Sequence, residues 1–280
     1  MLSYLLIYII IFIMWRGGYF MDKNKKEISE LIKVACRMGQ LMLENGGETY
    51  RVEQMICIMC TTYNYPKTES FVTPTGIMIS ITNDNNETIS LVKRIHSRTV
   101  DLTKVSLVND LSRKIASEKT PISKINKLLD SIDCTPKYDN KTTSFFTALA
   151  SSAFCSLFGG GLRDFLVTFV IGFILNYFSI YLNKLEVNGF FVNISSGCLA
   201  SLLALLSIKL RLGINQDAIV IGSIMLLLPG ITITNAIRDI IAGDLVSGIS
   251  RTIEAFLAAI AIAIGTGFSF NIWLTLFGGI

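Results

Sequence analysis

The strongest constraint on this chain is where its charges are missing. Residues 142–162, 165–183, 187–208, 218–237 and 255–280 contain no Asp, Glu, Lys or Arg. A bilayer core takes ~20 apolar residues per helix. Five such runs predict five spans. They exclude a soluble enzyme, a DNA-binding domain and a disulfide-rich secreted module. Residues 1–141 hold 34 of the 46 charged residues and residues 142–280 hold 12. A soluble domain is ~25% charged, so the whole-chain share of 16% averages two unlike halves. The expected fold is an α-helical polytopic membrane protein of five transmembrane helices, with an N-terminal α+β cytoplasmic domain whose helices pack on a small antiparallel sheet. The expected divisions are 1–20, a hydrophobic extension; 22–140, the cytoplasmic domain; and 141–280, the transmembrane domain.

The net charge of +4 comes entirely from residues 1–141, with 19 basic and 15 acidic side chains; the rest balances at six and six. A surplus this small is no argument for nucleic acid. It suits a domain beside an anionic cytoplasmic leaflet. Within that half, Ile28, Leu31, Ile32, Ala35, Met38, Leu41 and Met42 recur at helical spacing over 25–44. Asn45-Gly46-Gly47 ends this helix, because glycine tolerates the left-handed cap. A second helix over 48–63 turns Val52, Met55, Ile56 and Met59 inward, with Glu48 at its positive end. Residues 69–73, 76–82 and 88–95 then read as three strands of a meander, separated by two turns. Two more helices follow. The second has Thr120 as N-cap, Pro121 at its first position, and Ile122, Ile125, Leu129 and Ile132 on one face.

Little in this half suggests catalysis. A hydrolase would use His96, with Ser80 or a cysteine as nucleophile and Glu48 or Asp101 as partner. No G-x-S-x-G, H-E-x-x-H or phosphate loop accompanies them. His96 between Arg94 and Arg98 reads as a solvated strand-end residue. Cys57-Ile58-Met59-Cys60 has C-x-x-C spacing, yet no second pair follows and His96 is 36 residues on. Thiols on the apolar face of a helix are the favoured reading, and no metal or cofactor is expected.

Met1–Trp15 is uncharged and ends at Arg16-Gly17-Gly18. It lacks the basic start and small-residue cleavage site of a signal peptide. Three readings stand: a short extra span with its N-terminus outside, an interfacial anchor, or upstream sequence before a true start at Met21. The third is favoured, because Met21-Asp22-Lys23 resembles an ordinary cytoplasmic N-terminus.

Two features stand out in the membrane half. Gly159-Gly160-Gly161-Leu162-Arg163-Asp164 lies between the first two runs, either as an interfacial turn or as a hinge. A charge at the bilayer centre costs about 2.5–3.5 kcal/mol on insertion scales, which a turn at the membrane edge avoids. Leu228-Pro229-Gly230 interrupts the fourth run, and Thr232, Thr234 and Asn235 follow, then Arg238, Asp239 and Asp244. Proline removes a donor and clashes with the preceding turn, so backbone is freed at mid-depth and must be satisfied by protein or water. Many secondary transporters build substrate sites from such broken helices. The break with its polar neighbours is therefore preferred as a site over a plain kink. The expected substrate-binding residues are Pro229, Gly230, Thr232, Thr234, Asn235, Arg238 and Arg163, and the expected proton-coupling residues are Asp239, Asp244 and Asp164. The basic-residue rule puts the N-terminal domain in the cytoplasm. Five spans then leave the C-terminus outside, with Arg163, Lys209 and Arg211 outside against the rule.

Four stretches carry a family resemblance: Glu44-Asn-Gly-Gly-Glu-Thr-Tyr-Arg-Val-Glu53, Phe71-Val-Thr-Pro-Thr-Gly-Ile77, Phe158-Gly-Gly-Gly-Leu-Arg-Asp164, and the run from Pro229 to Gly248. Together, from about Ile28 to Phe268, they resemble the N-terminal part of threonine/serine exporters, or the YjjP-like subunit. The resemblance implies export of small metabolites across the cytoplasmic membrane: threonine and serine in some members, dicarboxylates such as succinate in others. In single-chain members a second set of spans follows. A separate small membrane subunit is accordingly the expected partner, beside the substrate, the bilayer and a possible second copy. The expected function is a subunit of a secondary-active exporter rather than an enzyme. A membrane-anchored sensor or scaffold is the competing class, with a membrane hydrolase third. Ala255, Ala259, Ala263 and Gly267 form a ridge of small residues at every fourth position, through which membrane helices pair.

Overall fold

The computed structural model describes residues 25–278. The extension 1–20 and the start at Met21 lie outside the described residues. The chain divides into two compact units: residues up to Thr135 together with Asn235–Ser250, and Pro136–Thr234 together with Arg251 onwards.

The first unit opens with α1 (25–44) and α2 (Thr49–Thr62). Strands β1 (Thr68–Thr73), β2 (Gly76–Thr82) and β3 (Thr88–Arg94) form an antiparallel meander in the order β1-β2-β3. Helices α3 (Leu102–Glu118) and α4 (Ile122–Asp133) follow. In β2 the two-residue period buries Ile77, Ile79 and Ile81 and exposes Met78. The seven apolar positions expected on α1 are all buried, as are Val52, Met55, Ile56 and Met59 of α2. Gly39 marks a close approach of α1 to α2 and β2, since a Cβ there would lie 3.0 Å from Val52 and 3.1 Å from Ile77. After β2, the Asn83 side chain accepts from the amides of Asn85 and Glu87 and closes the turn. At α4 the cap falls one residue later than expected. Pro121 takes the N-cap position, and Thr120 is buried with its carbonyl accepting from the Tyr63 hydroxyl.

The second unit contains α5 (Asn140–Leu157), α6 (Leu162–Lys184), α7 (Gly189–Lys209) and α8 (Gln216–Ile224), which ends in a 3-10 turn (Met225–Leu227). Helices α9 (Gly230–Ala242) and α10 (Leu245–Phe277) each run across the boundary between the units. Its core is made of small side chains. Cys155, Ala200, Ala204 and Ala218 are buried with Ile171 and Ile219. Gly172 lies against Ala148 and Ser151, Gly222 against Cys155, and Gly197 against Ile262. On α10 the inward residues include Ala255, Ala261, Ile262 and Gly265; of the expected ridge Ala255 is buried and Ala259 half-buried, whereas Ala263 and Gly267 are exposed.

Helices α6, α7 and α10 are long and apolar enough to cross a membrane. The pair Gln216–Leu227 and Gly230–Ala242, bent by 58°, makes a fourth if it is one span. Length and composition thus support three or four spans of the expected five. The difference lies in the run 142–162. It forms α5, whose Ser144, Ser151 and Ser152 are fully buried, and serine and threonine make the helix less apolar than the others. At 33 residues, α10 is about 50 Å long. A bilayer core is ~30 Å, so α10 is longer than a perpendicular span requires.

Candidate functional site at the broken helix

The break has a local cause. A residue before proline is pushed out of the helical region, and Leu228 is extended, with φ −65° and ψ 135°. Helix α9 restarts at once: the Ile233 amide donates to the Pro229 carbonyl at 3.0 Å. The first amides of a helix have no acceptor within it. The space beside Gly230 is open, with nothing within 4 Å of where a Cβ would stand. The Thr234 hydroxyl turns back to the Gly230 carbonyl at 2.9 Å. Thr232 is half-buried in the first turn.

Further along, α9 is inverted relative to a soluble helix. It buries Asn235, Ala236 and Asp239 and exposes Ile231, Ile233, Ile237, Ile240 and Ile241. The buried polar face meets the N-terminal residues of the same unit. Asn235 Nδ2 donates to the Gly46 carbonyl at 2.9 Å. The Thr49 amide donates to Asp239 Oδ1 at 3.2 Å, so the start of α2 is capped by a carboxylate of α9. Glu48, the N-cap residue of α2, makes no cap of its own. Its buried carboxylate instead accepts from Arg238 Nη1 at 2.5 Å, with Arg51 Nε at 3.6 Å from its second oxygen. Ser247, early in α10, donates to the Val72 carbonyl, and the Val72 amide donates to Glu53 at 2.7 Å.

Two glycines make this junction possible. Gly46, with φ +97°, ends α1 in the left-handed region. Gly248 lets α10 fold back on α9, since a Cβ there would strike Ile240. Three carboxylates share the neighbourhood. Burial, then the Asp244 and Asp239 charges, push the Glu53 carboxyl up, while the Val72 amide opposes them. Asp244, in the two-residue connection between α9 and α10, is pushed up by burial and by Asp239. The Thr49 hydroxyl is near enough to Asp244 to hold its carboxyl down slightly. Yet Thr49 Oγ1 and Asp244 Oδ2 are both buried without a hydrogen bond of normal length. Like charges held together in low dielectric favour keeping a proton. Glu53 and Asp244 are thus both biased toward their protonated forms.

The structure thus places Asn235, Arg238 and Asp239 on the helix that Gly230, Thr232 and Thr234 begin just after Pro229, with Asp244 in the connection that follows it. Arg163 and Asp164 sit at the start of α6, in the second unit. Both oxygens of Asp164 are taken by backbone: Gly161 N at 2.9 Å, Ile214 N at 2.6 Å and Asn215 N at 3.1 Å. The glycines before it have distinct tasks. Gly159 adopts φ +87° as α5 ends, and Gly160 approaches Cys155 too closely for a side chain.

Gly46, Thr49, Glu53 and Val72 were not among the expected site residues. Their signal lay in the stretches 44–53 and 71–77, which carry the family resemblance but no local reason to approach residue 239. His96 is exposed on the loop after β3. Burial pushes the Cys36 and Cys60 thiols up to about 11, which leaves them protonated and poor metal ligands. No group of three or more His, Cys, Asp or Glu among the described residues is arranged to hold a metal ion.

A family model described as "Putative threonine/serine exporter" matches residues 33–273. The chain belongs to the threonine/serine exporter family. It is 24% identical over 251 residues to a threonine/serine exporter of Corynebacterium glutamicum, covering 87% of this chain and 51% of that protein. It is 20% identical over 242 residues to a protein of Escherichia coli named probable succinate transporter subunit YjjP, covering 86% of this chain and 94% of the relative. A probable threonine/serine exporter of Mycobacterium tuberculosis is 19% identical over 84% of this chain and 45% of its own length. The chain spans about half the length of the exporters it matches and nearly all of the YjjP protein. No solved structure matches it. The exporter family and the long apolar helices make this a membrane protein, and its relatives support a membrane exporter.

Proposed function

We propose that this chain is one subunit of a secondary-active exporter of small carboxylate-bearing metabolites, threonine and serine or a dicarboxylate such as succinate. In this reading it resides in the cytoplasmic membrane. Residues 22–140 form a cytoplasmic domain and 141–280 the transmembrane domain, with Asn235–Ser250 serving the former. A small membrane subunit completes the pathway. The match to nearly the whole of a protein named a transporter subunit favours this division of labour.

The observation that carries the proposal is the inverted face of α9, which buries Asn235 and Asp239 just beyond the Pro229 break. The first amides of α9 suit a substrate carboxylate, and Thr232 and Thr234 suit its hydroxyl or second carboxylate. Glu48 occupies Arg238 as a substrate carboxylate would, so arriving substrate competes with Glu48 for the guanidinium. Asp239, Asp244 and Glu53 form the proton-coupling group. Asp164, saturated by three amides, is assigned to holding the 213–215 loop, and Arg163 is not included in the substrate site.

The test is export of labelled threonine, serine and succinate from cells with and without this chain, with its candidate partner co-expressed. Faster loss of one label only when both are present supports the reading. Equal loss of all three labels in every strain refutes it.

A further inference from the structure

Arg163, Lys209 and Arg211 gather at one end of the second unit, where α6 begins and α7 ends. Lys209 has an internal use: its ammonium lies 5.5 Å from the Trp273 ring and 3.2 Å from the Phe277 ring. The two arginines do not. Neither guanidinium closes an ion pair or hydrogen bond among the described residues. The carboxylate next to Arg163, Asp164, is spent on backbone amides; the one nearest Arg211 in sequence, Asp217, lies in the first turn of α8 and forms no ion pair with it. Arg211 stands at φ +58°, a conformation glycine adopts more easily. The backbone alone gives no reason for arginine there.

Both arginines line one groove of about 550 Å³ between α6 and α7. Apart from Ser207, the other walls are apolar, including Leu166, Val170, Ile174 and Leu206. Small-ligand sites hold roughly 300–1,000 Å³, so the space is large enough for an ordered molecule. Both helices are long and apolar enough to cross a membrane. The groove therefore joins an apolar wall at membrane depth to two cations at the helix ends. Its complement is an amphiphile with an anionic head and a hydrocarbon tail.

We propose that this groove binds an anionic glycerophospholipid. Arg163 and Arg211 hold its phosphate, and an acyl chain lies along Leu166, Val170, Ile174 and Leu206. Guanidinium recognises phosphate through paired, charge-assisted hydrogen bonds. The bound lipid also supplies the negative charge that two arginines at this membrane edge otherwise lack. The assignment is independent of the transport reading.

The test uses the full chain purified in detergent, with added dioleoylphosphatidylglycerol or dioleoylphosphatidylcholine. Phosphatidylglycerol is expected to raise the thermal midpoint by about 4 °C more than phosphatidylcholine. Native mass spectrometry is expected to retain about tenfold more phosphatidylglycerol than phosphatidylcholine per chain. The double variant R163Q/R211Q should elute as the wild type does and lose both differences. Equal effects of the two lipids, or an undiminished preference in the double variant, overturn the proposal. An equal shift with glycerol phosphate alone overturns the lipid assignment in favour of a free phosphate compound. If the double variant does not purify, R163Q and R211Q are compared singly, and unchanged lipid retention in both overturns the proposal.

Discussion

The two units bury different things. The first packs large aliphatic side chains, among them Ile28, Leu31, Met38, Ile56, Ile77 and Ile115, and faces the surroundings mainly with polar residues. The second packs alanine, serine, cysteine and glycine inside and leaves Leu166, Val170, Phe173 and Ile174 exposed. The contrast follows from solvent. Water drives large apolar groups together. Lipid gives no such drive between helices, so close backbone approach and hydrogen bonds must hold them. A hydroxyl such as Ser151, donating to the Gly222 carbonyl at 2.9 Å, is therefore core material in the second unit.

The contrast predicts opposite sensitivities. Gly222→Val should have the largest effect, because a Cβ there would lie 2.8 Å from the Cys155 backbone nitrogen, which cannot yield as a side-chain tip does. The expected result is almost no folded protein in the membrane fraction. Normal abundance would show that close helix approach is not what holds the second unit. Next in size is Pro229→Ala, which should reduce export at least tenfold (about 1.4 kcal/mol of barrier) while leaving membrane abundance normal. Wild-type flux would reduce the break to a kink. In the first unit, Ile77→Ala should leave a cavity costing about 2–5 kcal/mol. Limited proteolysis of the N-terminal unit should report it, with α6 and α7 unaffected.

A subtler effect is expected at the carboxylate cluster. The Glu53 carboxyl is raised in the folded protein. Its contribution is fully present below the ordinary carboxylate pKa and is lost as pH rises through the raised value. Glu53→Gln keeps an acceptor for the Val72 amide and removes the titration. It should flatten the rise in thermal midpoint on acidification, and a wild-type pH profile would exclude Glu53 from the cluster. Smallest of all is His96→Ala, expected to change export less than twofold. Abolished export by well-expressed protein would return His96 to the functional residues.

Much of the first unit was legible because its signals are periodic. Apolar residues at three and four marked α1 and α2, and alternation marked β2. The membrane class was legible because charge is too costly in hydrocarbon to be scattered. The span count was less legible, since α5 uses serines as its core and so falls between the two composition classes. The broken helix was legible in part. Pro229 announces its own effect on Leu228, but the side chains beyond it do not announce their partners.

The sequence by itself determined the separation into charged and uncharged halves, the meander and the position of the break. All three rest on local or periodic chemistry: desolvation, pleat alternation and proline's missing donor. Only the tertiary structure decided that Asn235–Ser250 joins the first unit, and that Arg238 meets Glu48 and Asp239 meets Thr49, each 190 residues away. Only it decided that both oxygens of Asp164 accept backbone amides, from Gly161 and from Ile214 and Asn215 some 50 residues on. The physical reason is the same in each case. A hydrogen bond between distant segments imposes no spacing on either one, so the residues that make it read as ordinary polar side chains until the chain is folded.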